Sequence, residues 1–418
     1  MNNSQIPPER QPVPARQPIP QPSGTRERTL KSKKRPQKKR YSVVGRVLLV
    51  IFTVIFVLVF ALFALCKTIA TGPSETVRDL LVLSAMQASA TKWVPGLFLD
   101  DAVVEQIVSK SEDVNVDVIP MDSIVKPGPV DTDQSGGEEL PPETDEGGET
   151  VEPTPPVADE WADAIDGMIY ETYSGSTFKA YILLVKDPSR VCVGTSSDYK
   201  SGKTGMRIFN IVEKYGAIAA INAGEFADTN GQGTGDNPIG LTYSLGSCVW
   251  NDGAKRTFIG FDKNNKLVVA NSMKKDEAEA LGIRDGVSFQ TGNVLISNDG
   301  VSVSLHYAEG NTGTAQRTAI GQRLDGTVIL IVTDGRTASS LGATRNDIID
   351  LMLSYGAVTA GMLDGGSSAM MYYEDYYTKY GVDTSDLDEY QLQGLTNRYK
   401  AFTKPRRMPT YFLVMPEE

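Results

Sequence analysis

The residues able to do chemistry in this sequence are carboxylates, arginines and small polar side chains set in Gly-rich stretches. They fall in four places: Asn222-Ala-Gly-Glu-Phe-Ala-Asp228, Arg317-Thr-Ala-Ile-Gly321, Asp334-Gly-Arg336 and Asp364-Gly-Gly-Ser-Ser368. A carboxylate can serve as nucleophile, base or acid at a sugar's anomeric carbon. Arginine makes bidentate contacts to phosphate oxygens, and Gly-rich turns offer backbone N–H groups to the same anion. The set suits a substrate that contains both a sugar and a phosphate. Other common chemistries find little support. His306 is the one histidine, which disfavours Ser/His/Asp hydrolysis and multi-histidine zinc sites. No GxGxxG follows a strand, and neither a Gly-x4-Gly-Lys-[Ser/Thr] loop nor a pair of Cys-x2-Cys motifs occurs.

A weak internal repeat positions two of these groups. Ile211 to Gly224 (IVEKYGAIAAINAG) resembles Leu351 to Gly366 (LMLSYGAVTAGMLDGG). Each reads as helix, Tyr-Gly-Ala turn, short apolar strand, and then a polar residue followed by small ones. A polar group at a strand end beside Gly lets a ligand approach both side chain and backbone, which makes Asn222 and Asp364 the first candidates for a site. The competing reading is that both cap turns, and that each arginine is an ion-pair partner within the fold. Helices are expected at 205–215 and 345–355, the second opened by a Thr344/Asp347 capping pair. Ala180–Val185 and Thr327–Thr333 read as buried strands, the latter paired with 318–322 across the turn Asp325-Gly326. The predicted fold class is α+β, with a mixed β-sheet core and packed helices.

Charge divides the rest of the chain. Residues 1–46 hold twelve Lys and Arg against Glu9 and Glu27, a balance of +10, which leaves −21 for the remainder of a chain whose net charge is −11. Residues 1–42 read as a disordered basic tail and 43–67 as a transmembrane helix, since Val47 to Cys66 carries no charge and is long enough to cross a bilayer. The cluster Lys31–Arg40 keeps the tail on the cytoplasmic side and places the remainder outside. Residues 68–111 read as a juxtamembrane helical segment split at Pro95-Gly96, with Val77, Leu80, Leu81 and Ser84 on one face and Val103, Val104, Ile107 and Val108 on the next. Residues 112–157, acidic and rich in Pro and Gly, read as an extended linker, and 158–418 as the functional domain. The basic tail reads as a topology signal, and no nucleic-acid partner is expected. Cys192 and Cys248 could pair, or each could be a small buried side chain.

Five stretches in one order carry a family resemblance: Ile221-Asn-Ala-Gly-Glu-Phe, Arg317-Thr-Ala-Ile-Gly-Gln, Thr333-Asp-Gly-Arg, Leu363-Asp-Gly-Gly-Ser-Ser and Arg407-Met-Pro-Thr-Tyr-Phe-Leu-Val. Over roughly residues 165–415 the chain resembles the phosphodiester glycosidase family. The resemblance implies hydrolysis of a sugar-1-phosphodiester at the anomeric C–O bond, with a cell-envelope glycopolymer or exopolysaccharide as substrate. On this view Asp364, Asp334 and Glu225 are the catalytic candidates. Asn222, Arg317, Arg336, Gly365, Gly366, Ser367, Ser368 and Arg407 bind substrate. Glu225 and Gln316 depart from the family's usual residues, and Glu225 adds a carboxylate to the site. Two alternatives stand beside this one. Asp334, Asp364 and Glu225 could hold Mg²⁺ or Ca²⁺ for P–O cleavage, or the domain could be a non-catalytic glycopolymer-binding module, with Tyr372 and Tyr373 making contacts.

Overall fold

The computed structural model describes residues 43–86, 91–112, 114–124, 160–197, 199, 205–228, 234–290, 292–308, 313–335, 340–399 and 404–417. Two units divide it, at Phe60. The first ends within the apolar helix Val43–Thr71, whose 29 residues are long and apolar enough to cross a membrane. The second begins at Ala61 and holds everything else.

The expected α+β class holds, and the sheet core resolves into three antiparallel sheets. The largest has eight strands in the order Val114–Pro120, Ser302–Ala308, Val294–Asn298, Ala357–Met362, Thr318–Arg323, Val328–Thr333, Lys179–Val185 and Met168–Ser174. A four-stranded sheet runs Met371–Tyr373, Ala219–Asn222, Thr410–Val414, Val191–Thr195. A five-stranded sheet is built from strands between Leu241 and Phe289.

Why these runs are strands follows from burial on both faces. In Lys179–Val185 the side chains of Tyr181, Leu183 and Val185 enter a core shared with Ile221, Phe412 and Val414 of the four-stranded sheet. Ala180, Ile182 and Leu184 point the other way, onto Ile348, Ile349 and Met352 of the helix Arg345–Ser354. A strand covered on both sides reads as a continuous apolar run rather than an alternating one. The four-stranded sheet is covered on its outer face by the helix Ile208–Tyr215, through Ile208, Ile211 and Val212 against Ala220, Tyr411 and Leu413. One core thus lies where the sheets meet, with Ile259, Phe261 and Val287 of the five-stranded sheet in it, and one helix covers the outside of each of the other two.

Both expected helices are present, and each ends at its glycine. Thr344 and Asp347 close the capping box of the second. Gly216 (φ 67°) and Gly356 (φ 78°) take the left-handed conformation that turns the chain into the following strand. The hairpin across Asp325-Gly326 pairs Thr318 with Val332 and Gln322 with Val328. Cys192 and Cys248 are free thiols.

The juxtamembrane residues fold with this body. Helices Glu75–Met86 and Asp101–Glu112 flank a short 3-10 turn at Pro95–Leu97 and bury Val82, Leu83 and Ile107 between them. Val114–Pro120, at the start of the stretch read as linker, is the edge strand of the large sheet, in register with Ser302–Ala308 from Val114↔Ala308 to Pro120↔Ser302.

Candidate active site

The strand directions bring four chain ends to one place. Thr318 begins its strand, while Thr333 and Met362 end the strands on either side of it in the large sheet. Asn222 ends its strand in the small sheet, opposite Tyr411. A short network ties these ends together. The Thr318 hydroxyl donates to Asn222 Oδ1 at 2.8 Å, which crosses from one sheet to the other. Met370 N donates to the same oxygen at 3.0 Å, and Asn222 Nδ2 donates to the Asp364 carbonyl at 2.5 Å. Asp364 N in turn donates to the Ala223 carbonyl at 3.1 Å. The two arms of the sequence repeat therefore meet, and Asn222 and Asp364 are neighbours.

They are not equivalent. Asn222 is fully buried and its amide is committed to protein partners on both atoms. It braces the Asp364 loop rather than facing a ligand. Asp364 is largely but not fully enclosed. Burial pushes its pKa up to about 7; the nearby Glu225 carboxylate adds to the rise, while the Ser368 hydroxyl and Arg406 oppose it. Glu225 is also raised by burial, although Gln290 N donates to its Oε2 at 2.8 Å and favours the anion. Two carboxyls in one place, both raised by burial and held by different donors, Gln290 N–H on Glu225 and the Ser368 hydroxyl on Asp364, are an arrangement that can separate an acid from a base.

The loop after Asp364 is shaped by backbone contact. Gly366 N donates to the Gln316 carbonyl at 2.9 Å. A Cβ on Gly365 would sit 2.9 Å from that same carbonyl oxygen, so only glycine lets the loop approach. Gly366 (φ 61°) carries open space where a side chain would stand. Ser367 is exposed and Ser368 buried.

The arginines are sorted differently from the sequence expectation. Arg317 is buried, and its guanidinium donates to the carbonyls of Ala343 (3.1 Å) and Gly313 (3.0 Å), so it fixes loops instead of holding phosphate. Arg407 is exposed and donates to the Gly205 carbonyl at 3.1 Å. Its neighbour Arg406 is the arginine beside the two serines. Arg406 Nη1 reaches the Ser368 hydroxyl at 3.1 Å and that of Ser367 at 3.4 Å. Its Nη2 is paired with Asp228, and the guanidinium lies over the Phe226 ring. Arg336 lies outside the described residues.

Asp334 occupies a flank of its own. Tyr181 Oη donates to its Oδ2 at 2.7 Å; burial raises its pKa, and Tyr181, Lys179 and Arg398 oppose the rise. Arg398 precedes Tyr399, whose hydroxyl donates to the Ser367 carbonyl at 2.5 Å, so one segment borders both flanks. Among the described residues no three His, Cys, Asp or Glu side chains are grouped to hold a metal ion. His306 pairs with Ser297 at 2.9 Å on the outer strands, apart from these groups.

Residues 215–415 match the family model described as phosphodiester glycosidase. The resemblance read from the sequence is thus met by a family match over these residues. The chain is 28% identical over 186 residues to the SPbeta prophage-derived uncharacterized protein YomE of Bacillus subtilis, a match covering 44% of this chain and 29% of that protein. It thus spans under a third of that relative's length. Among solved structures, the zebrafish N-acetylglucosamine-1-phosphodiester alpha-N-acetylglucosaminidase catalytic domain, auto-inhibited by its pro-peptide, aligns with TM-score 0.45 at 17% identity, over 60% of this chain and 82% of its own. A hypothetical protein from Synechocystis aligns with TM-score 0.38 at 15% identity, over 59% and 62% of the two chains.

Within the matched residues, sequence reasoning overlooked Arg406, Tyr399 and Thr318. Arg406 and Arg407 stand next to each other before the closing strand, and adjacent residues of an extended segment point to opposite sides. The signal was the pair; its register was needed to choose. Thr318 had no signal beyond its place next to Arg317.

Proposed function

We propose that the domain hydrolyses a sugar-1-phosphodiester at the anomeric C–O bond, outside the cytoplasm, in a cell-envelope glycopolymer or glycoconjugate. The observation that carries this reading is the Asp364/Glu225 carboxyl pair set beside Arg406 and the Ser367/Ser368 hydroxyls. The rise of Asp364 to about 7 makes it the proton carrier of the pair. Glu225, held toward its anion by Gln290 N–H, acts at the anomeric carbon as base for water or as nucleophile.

As the C–O bond breaks, its electron pair stays on the phosphate oxygen. Arg406 and the serine hydroxyls stabilise the phosphate, with Asp228 fixing the guanidinium. A phosphate ester is a better leaving group than a sugar alcohol, and proton donation by Asp364 adds to that advantage as the bond breaks. Asn222, through the Asp364 carbonyl, keeps the loop in place.

The test is turnover of a panel of sugar-1-phosphodiesters by the full chain in heavy-oxygen water. C–O cleavage places the label on the sugar hydroxyl and leaves the phosphate on the other product. Label found in the phosphate means P–O cleavage and overturns the reading.

A further inference from the structure

The residues between the membrane helix and the acidic segment are built into the domain. Gly313, which accepts from Arg317 at one edge of the site, lies so close to the Glu75–Met86 helix that a Cβ on it would meet the Leu83 carbonyl carbon at 2.8 Å. Thr314 N donates to the Ser84 hydroxyl at 3.4 Å. Further along, Val114–Pro120 pairs along its whole length with Ser302–Ala308. Ile119, Met121 and Ile124 then pack onto the core that contains Val303, Leu305 and Ile348. The chain re-enters the same body at Glu160, which pairs with Arg323 Nη1 at 2.7 Å. Residues 125–159 join two points of one body, so whatever their conformation they cannot set its distance from the bilayer.

A second observation concerns the surface of the same segment. Val77, Trp93 and Leu97 are exposed at 45%, 64% and 53%. Next to Leu97, Phe98 meets Phe63 of the apolar helix with ring centroids 5.0 Å apart. Tryptophan beside a membrane helix belongs at the headgroup level.

We infer that residues 61–124 are a clamp, which rests its Val77/Trp93/Leu97 rim on the bilayer and holds the catalytic domain there. Leu83 is twelve steps along the chain from Thr71, eight of them within a helix, so the contact with Gly313 lies within about 26 Å of the end of the apolar helix. A 35-residue tether could instead extend to about 120 Å. The substrate class follows, resting on the proposed hydrolysis: an anomeric phosphodiester whose other ester carries a lipid, presented at the membrane surface.

Two arms test this with the full chain in lipid vesicles. In the first, a sequence-specific protease site is placed within 130–150 and cut, and the vesicles are sedimented. The cut domain is expected to stay with the vesicles, and to leave them in a Leu83→Asp variant. Cut wild-type domain in the supernatant overturns the clamp. In the second, hydrolysis of one sugar-1-phosphate is compared on a long-chain lipid in the vesicles and on a short soluble alcohol. The lipid-borne ester is expected to be preferred by at least about tenfold, from effective concentration. A Trp93→Glu/Leu97→Glu variant should lose the preference while keeping the soluble rate. Equal rates on both carriers overturn the substrate class and leave the hydrolase reading standing. Turnover of neither ester sinks the hydrolase reading and the substrate class with it, while sedimentation still decides the clamp.

Discussion

Asn222 and Asp364 close two stretches of the same local plan, helix, glycine turn, strand and polar residue, yet the molecule uses them in opposite ways. The strand before Asn222 is in the middle of the small sheet, and the amide there meets Thr318 from the other sheet and Met370 from its own side. The second stretch is two residues longer before its polar group, which carries Asp364 past the strand end and into the loop. That offset turns one side chain inward as a brace and leaves the other near open space at Gly366. Identical local chemistry thus yields a structural residue and a catalytic candidate, decided by where each strand stops.

The largest expected effect tests the catalytic half of this contrast. Asp364→Asn keeps the size and most hydrogen bonds but removes the proton shared with Glu225. Turnover of a sugar-1-phosphodiester should fall at least about 10²-fold while circular dichroism is unchanged. A folded variant that keeps most of its rate would move the role to Glu225 or Asp334.

The bracing half predicts the reverse signature. Asn222→Ala leaves the Thr318 hydroxyl, Met370 N–H and Asp364 carbonyl without their partner, at a cost on the order of 3 kcal/mol. Denaturant unfolding should show that loss, and whatever fraction stays folded should keep its KM within about threefold, since the amide is committed to protein partners. An Asn222→Ala protein of wild-type stability with a collapsed rate would make Asn222 the ligand-facing residue instead.

How much of this was legible in sequence follows the same division. The two helix ends, the hairpin and the meeting of the repeat arms could be read because capping residues, glycines and apolar runs act locally. The fates of Arg317, Arg406 and Arg407 could not, because burial and register decide them and all three are the same residue type. The edge strand Val114–Pro120 had a signal, with Val114, Val116 and Val118 alternating with Asn115 and Asp117, but its acidic and proline-rich surroundings outweighed it. The five-stranded sheet between Leu241 and Phe289 left few motifs to read.

A smaller effect separates the two adjacent arginines. Arg406→Ala should lower kcat/KM by about tenfold to a hundredfold, because the guanidinium beside Ser367 and Ser368 is lost. Arg406→Lys should recover part of it, keeping charge without the fork. Arg407→Ala, exposed and bonded to the Gly205 carbonyl, should change the rate by less than about twofold. Equal losses at both positions would show that the effect is on the chain entering the last strand rather than on phosphate.

The smallest effect is a pH dependence of stability, and its sign is fixed by the direction of the Asp364 shift. The folded carboxyl is pushed up to about 7, above the ordinary carboxylate range, so between about pH 4 and 7 the folded protein holds a proton that the unfolded chain has released. Where the native state binds more protons, stability falls as pH rises. Asp364 therefore opposes folding progressively across that window and fully above it. Asn222, which does not titrate, contributes no such slope. Removing the titration should thus stabilise the protein most at high pH: the Tm of Asp364→Asn should match the wild type near pH 4, exceed it increasingly up to about pH 7, and then level, with a final gain of several degrees. A difference that stays flat across this range would mean that the carboxyl is not held neutral in the folded state, and the division of acid and base between Asp364 and Glu225 would have to be reversed.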